Sequence, residues 1–223
     1  MRKLIIGIGG ITNGGKSTLA RSLHEHIVNS YIIAQDTFFK DDSLVAVDSR
    51  GFKQYDVLDA LNMDKMMSEV QTWQKDPVSF LASHGQRTQS SRVSETPEDM
   101  YVLIIEGFLI YNYRPFNEII DKKYFLHIPY DICKARRCSR TYNPPDPSGY
   151  FDGHVWPMYL KNRKEMEDTV SDLVFLDGIQ TRDQLFSIVY EDIKMEMQRL
   201  TGRTFLCHLK KLYPVFCFSE TKN

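Results

Sequence analysis

Gly10-Ile11-Thr12-Asn13-Gly14-Gly15-Lys16-Ser17 satisfies the pattern G-x-x-x-x-G-K-[ST] at every fixed position. The spacing has a mechanical reason. Glycines let the backbone curl until successive N–H groups converge on an anion, and a helix opening straight after the loop aims its positive end at the same point. In such a loop Lys16 bridges the β- and γ-phosphates of a nucleotide, and the Ser17 hydroxyl ligates Mg²⁺. A chance match in a chain of this length is roughly a 1 % event. The flanks agree with the mechanism. Leu4–Ile8 is a short apolar run with the composition of a buried parallel strand, and Leu19, Ala20, Leu23 and Ile27 recur at helical spacing. Gly10, Thr12, Asn13, Gly14, Gly15, Lys16, Ser17 and Thr18 are therefore candidate nucleotide-binding residues.

The alternation continues outward from this loop. Tyr31–Ala34, Tyr101–Ile105, Tyr124–Ile128 and Leu173–Leu176 read as four more strands. Met63, Met66, Met67, Val70 and Trp73 form a helical stripe, Asp131–Thr141 reads as a basic helix, and His154–Asp168 and Asp183–Leu200 read as two further helices. This order predicts an α/β fold: a five-stranded parallel sheet with helices on both faces. Residues 37–61 read mostly as loop, 83–99 as a polar surface loop, and 142–153, with three Pro and two Gly, as irregular. One domain is expected over residues 1–200, with a small lid at about 134–153. The tail at 201–223 is dense in apolar side chains; docking on the body or plain disorder is the simplest expectation, and a protein partner or a membrane surface the alternative.

Composition narrows the function classes. A net charge of −1, with 42 % hydrophobic and 26 % charged residues, is that of an ordinary globular protein without the basic excess that nucleic acid demands. No stretch of apolar residues is long enough to span a membrane. The apolar run after Arg2-Lys3 breaks into glycines, unlike a signal peptide. The four cysteines form no C-x-x-C pair, which favours free thiols over structural zinc. The cytoplasm, or the nucleus with it, is the expected compartment.

Two carboxylates stand where the chemistry needs them. Asp36 follows the second strand, and open parallel sheets bind ligands beyond the carboxyl ends of their strands. A carboxylate there accepts the proton of an attacking hydroxyl and helps hold Mg²⁺; a capping Asp is the plainer alternative. Glu106 follows the apolar run Tyr101–Ile105 and suits a place near Mg²⁺ and its waters. Arg136 and Arg140 share one helix face ahead of the Pro/Gly-rich loop. Their forks suit phosphate oxygens and transition-state charge, although such a run is often only a solvated face. A GTPase switch would need an Asn-Lys-x-Asp motif, and none occurs. Asp36, Lys16, Glu106, Arg136 and Arg140 are thus the candidate catalytic set, with ATP as co-substrate and Ser17 and Asp36 as the metal ligands.

Taken together, the motifs resemble the nicotinamide riboside kinases, which share the P-loop of many nucleotide-hydrolysing families. The matching segments are Gly10–Ser17, Gln35-Asp36-Thr37-Phe38-Phe39-Lys40, Gly51–Leu58, Ile105-Glu106-Gly107-Phe108, Arg136–Tyr142 and Phe151–Tyr159. Gly51–Leu58 and Phe151–Tyr159 are the most specific of these. The resemblance implies a P-loop NTPase fold like the nucleoside monophosphate kinases. It implies a small-molecule nucleoside substrate, nicotinamide riboside or nicotinic acid riboside, phosphorylated at the 5′-hydroxyl. It makes Asp36 the general base and Asp36, Phe39, Tyr55, Asp56, Arg137 and Tyr142 the substrate contacts. Arg136 and Arg140 become lid contacts to ATP phosphates. Ala135 and Cys138 stand where the family pattern has Arg and Ser. A uridine/cytidine-type kinase is the runner-up, and a non-catalytic nucleotide-binding scaffold the third reading. His154 and Trp156 either touch ligand or anchor the helix that follows; the structural role is preferred, with Pro157 fixing the first turn.

Overall fold

The structure, a computed structural model, describes residues 1–85, 99–142 and 145–202. Five strands, β1 (Arg2–Gly10), β2 (Ser30–Ala34), β3 (Met100–Glu106), β4 (Lys122–His127) and β5 (Leu173–Asp177), form one sheet in the order β2-β3-β1-β4-β5. Every neighbouring pair is parallel. Parallel strands require crossovers, and helices supply them on both faces. These are α1 (Lys16–His26), α2 (Met63–Lys75), α3 (Pro77–Ser83), α4 (Arg114–Ile119), α5 (Tyr130–Cys138), α6 (Trp156–Glu167) and α7 (Arg182–Thr201).

The period of two along each strand sorts the apolar side chains into two layers. Leu4, Ile6 and Ile8 of β1 join Val102 and Ile104 of β3 and pack on Leu19 and Leu23 of α1 and Val189 and Ile193 of α7. Ile5 joins Leu103 and Ile105 on the opposite layer, against Met66, Val70 and Trp73 of α2 and Phe116 of α4. Burial on both sides is why these strands read as continuous apolar runs rather than alternating ones. The methionine stripe is plain core.

The structure adds elements that periodicity did not reveal. α3 and α4 are too short to display a helical repeat, and each carries Pro in its first turn. Asp76 caps α3, its carboxylate accepting from Val78 N and Ser79 N at 3.1 Å each. Residues 37–61 are pinned by short 3₁₀ turns at Gln35–Phe38, Asp42–Leu44 and Leu58–Ala60 and by antiparallel bridges Phe39↔Leu61 and Val47↔Lys53. The stretch expected to stay irregular up to residue 153 instead ends in a π-helical turn, Phe151–Val155, that runs straight into α6. Pro157 has no N–H, so the regular ladder is interrupted there anyway, and Trp156 N donates back to Phe151 O. Most of the polar loop expected at 83–99 and nearly all of the 201–223 tail lie outside the described residues. No described helix is long and apolar enough to cross a membrane.

Tyr111 ties the connection after β3 to the sheet. Its buried hydroxyl donates to Tyr124 O and accepts from Tyr124 N, each at 3.0 Å. Burial holds the phenol well above its ordinary pKa, so it stays a neutral donor. Replacing it with Phe strips both backbone groups of a partner in a dry site. Tyr111→Phe is expected to lower unfolding free energy by about 1–3 kcal/mol, measured by denaturant titration.

Candidate functional site

The register of the sheet brings the chemistry to one rim. Ile8 and Ala34 both stand level with Glu106, and Gly10 with Leu126. The phosphate loop, Asp36 and Glu106 therefore rise side by side from β1, β2 and β3. Gly10 makes the turn out of β1. Its φ is +135°, and a Cβ there would stand 2.2 Å from Leu126 O, so no other residue fits. Ile11 N then donates to Leu126 O at 3.3 Å and Gly14 N to Ile11 O at 3.1 Å, closing the loop before α1 opens at Lys16. Lys16 Nζ donates to Ile11 O at 2.9 Å. Burial lowers its pKa, while the carboxylates of Glu106 and Asp36 act in the opposite direction.

Above the loop lies a cleft of ≈ 1210 Å³. Thr12, Asn13, Gly15, Lys16, Ser17 and Thr18 line its floor, with Gly10 and Gly14 buried beneath and not lining it. Ser17 and Asp36 are exposed on its wall, and Glu106 is buried behind them. This donor set suits a hard divalent cation that draws most of its ligands from phosphate and water. Among the described residues no cluster of three His, Cys, Asp or Glu forms a protein-only metal cage.

The opposite end of the cleft is aromatic. Phe39 meets Tyr55 edge-on at 5.6 Å and stacks with Phe108 at 5.8 Å. The Tyr55 hydroxyl donates to Asp42, which also pairs with Lys53. Burial, and then that hydrogen bond, push the Tyr55 pKa up to about 12. Asp56 lies next along the chain, with His154 Nε2 at 3.3 Å from its Oδ2 and Asn162 Nδ2 donating to its backbone oxygen at 2.9 Å.

The arginines reach over from α5. Arg136 donates to Asn13 O at 3.3 Å and Gly178 O at 3.2 Å. Arg137 grips Asp146 with two bonds of 2.6 and 2.9 Å and lies 4.5 Å over the Tyr142 ring. Arg140 lies 5.4 Å over the same ring, and the Tyr142 hydroxyl meets the Asn13 side chain. All three arginines and Tyr142 line the cleft. Ala135 and Cys138, by contrast, are exposed and outside it. Trp156 packs edge-on against Tyr130 at 5.1 Å, a structural place.

Sequence reading missed Phe108, Asp42, Lys53, Asp146 and Tyr150 as cleft residues. Phe108 was within reach, two residues past Glu106. Asp146 and Tyr150 owe their place to the path of the chain from α5 to α6, which no local pattern encodes.

A family model described as an AAA domain matches residues 6–157. Nicotinamide riboside kinase 1 of Mus musculus is 51 % identical over 202 residues, covering 91 % of this chain and 100 % of that protein. The chain belongs to the nicotinamide riboside kinase family. Nicotinamide riboside kinase 2 of Mus musculus is 52 % identical, covering 86 % of this chain and 96 % of the other. An unliganded sugar kinase structure from a Janibacter species superposes with a TM-score of 0.51 at 16 % identity, covering 87 % and 98 % of the two chains, a likeness of fold. The chain is thus a P-loop kinase, a phosphotransferase for which ATP is co-substrate, and membership of the nicotinamide riboside kinases ranks the pyrimidine nucleoside and scaffold readings behind it.

One thiol of this kinase sits against the phosphate loop. Cys133 Sγ donates to Thr12 O at 3.3 Å, and burial pushes its pKa up to about 11. The thiolate is the reactive form and is scarce until pH approaches that value. Iodoacetamide at pH 8 is expected to alkylate exposed Cys138 and spare Cys133 in the native protein, both reacting once it is unfolded; peptide mass mapping reads the difference.

Proposed function

We propose that the protein transfers the γ-phosphoryl group of ATP to the 5′-hydroxyl of nicotinamide riboside, and of nicotinic acid riboside, yielding the mononucleotide used in NAD synthesis. The observation that carries this reading is the layout of one cleft. A phosphate loop and a carboxylate stand at one end, and an aromatic floor with a second carboxylate at the other, in a chain half-identical to nicotinamide riboside kinases.

The chemistry asks mainly for positioning and charge compensation. Loop N–H groups and Lys16 hold the phosphates, and Arg136 and Arg140 face the charge that spreads onto the transferred group. Asp36 accepts the proton of the 5′-hydroxyl and orients it in line. Ser17 and Asp36 hold Mg²⁺, which when bound neutralises phosphate charge. Phe39 and Tyr55 offer ring faces to the pyridine, favourable for a cationic ring. Asp56 accepts from the ribose hydroxyls. Arg137 and Tyr142 cover the nucleoside, and residues 134–153 act as the lid that limits water and futile hydrolysis.

ADP release with Mg²⁺ and ATP is expected to rise strongly with either pyridine riboside and weakly with uridine or cytidine. Stimulation by the pyrimidines alone supports the runner-up, and a flat panel despite ATP binding supports the scaffold. Asp36→Ala is expected to cut turnover by about 10²–10⁴-fold while ATP affinity, measured by calorimetry, changes far less; equal losses argue against Asp36 as base.

A further inference from the structure

His154 is a buried polar side chain that the phosphoryl-transfer scheme leaves unused. It is 2 % exposed, and its Nε2 has no aligned hydrogen-bond partner among the described residues. Yet Nε2 stands 3.3 Å from Oδ2 of Asp56. A carboxylate only accepts, so the ring nitrogen facing it is the one that carries the proton. A buried donor at that distance, short only of alignment, gains most by turning onto the carboxylate.

The ring is held in place for this. It stacks on Tyr150 at 5.0 Å, and the Tyr150 hydroxyl donates to Lys53 O at 2.6 Å, three residues before Asp56. The preceding residue is Gly153, where a Cβ would stand 2.8 Å from the Phe52 ring, so the turn lies tightly on the 52–56 segment. Asn162, on the same continuous helix, donates to Asp56 O. Positions eight apart on a regular α-helix differ by about 80° around the axis. The π turn at Phe151–Val155 departs from that regular spacing, and residues 154 and 162 both reach Asp56.

We propose that His154 is a positioning residue for the nucleoside. Its Nε2–H holds Oδ2 of Asp56 and leaves the other carboxylate oxygen aimed at the vicinal ribose hydroxyls. This rests on the nucleoside reading given above. Because Asp56 grips the ribose in ground and transition states alike, its misplacement affects KM rather than kcat.

His154→Phe keeps the ring stack on Tyr150 and removes the donor; His154→Gln restores an amide N–H near the same place. With nicotinamide riboside, His154→Phe is expected to raise KM roughly tenfold, with kcat and the KM for ATP nearly unchanged, and His154→Gln to recover most of the loss. With the 2′,3′-dideoxy riboside, wild type and His154→Phe are expected to have the same KM, because the diol that Asp56 serves is gone. An unchanged KM in His154→Phe, or the same penalty with the dideoxy compound, overturns the assignment. Should His154→Phe fail to fold, imidazole ¹⁵N NMR of the wild type decides: a protonated Nε2 that shifts in Asp56→Asn supports it, and an unprotonated one refutes it. A wild type inert toward every riboside removes the functional reading and this inference with it. An active wild type with an indifferent His154→Phe removes this inference alone.

Discussion

Turning a row of backbone N–H groups toward a polyanion requires the chain to leave a central strand through a space that admits no side chain. At Gly10 that space is bounded by the carbonyl of Leu126 on the neighbouring strand. β1 lies between β3 and β4, so its loop stands beside Glu106 of β3 and Asp36 after β2 on one side and the helix that follows β4 on the other. Asp36 and Glu106 reach the loop because β2 and β3 both end level with Ile8, two residues before β1 turns out at Gly10. The two apolar layers exist to hold that register.

The cleft above the loop is lined by charges of both signs. Lys16, Arg136 and Arg140 lie about the phosphate loop with Asp36 and Glu106, and Asp42 and Asp56 lie by Phe39 and Tyr55, where Lys53 pairs with Asp42. The arginines do not wait unpaired: Arg137 is forked onto Asp146 and Arg136 onto two carbonyls, which fixes their planes.

Most of the fold was legible because its signals are local. A strand buried on both faces declares itself as an apolar run, and the phosphate loop has a near-unique spacing. α3 and α4 were not legible, since six or seven residues cannot complete a repeat, and their capping by Asp76 and proline is visible only afterwards. The cleft's floor and its carboxylates could be named from motif and strand ends. Of its far wall, Phe39, Tyr55, Asp56, Arg137 and Tyr142 could be named from the resemblance, and the rest could not. Tyr150 and Asp146 come from a segment that reads as loop, and the π turn at Phe151–Val155 leaves no periodic trace. The preference for a purely structural His154 missed its neighbour Asp56, ninety-eight positions earlier in the sequence.

The segment carrying Lys53, Tyr55 and Asp56 has almost no regular secondary structure, and by its own hydrogen bonds it would open easily. Instead two hydrogen bonds, from Tyr150 to Lys53 O and from Asn162 to Asp56 O, tie it to a helical rod whose Met166 lies in the main apolar layer. Local opening of this platform must therefore break bonds to the rod as well as its own, and costs more than the opening of an untied surface loop. A segment so anchored has part of its shape set before any ligand arrives, and binding has less ordering entropy left to remove there.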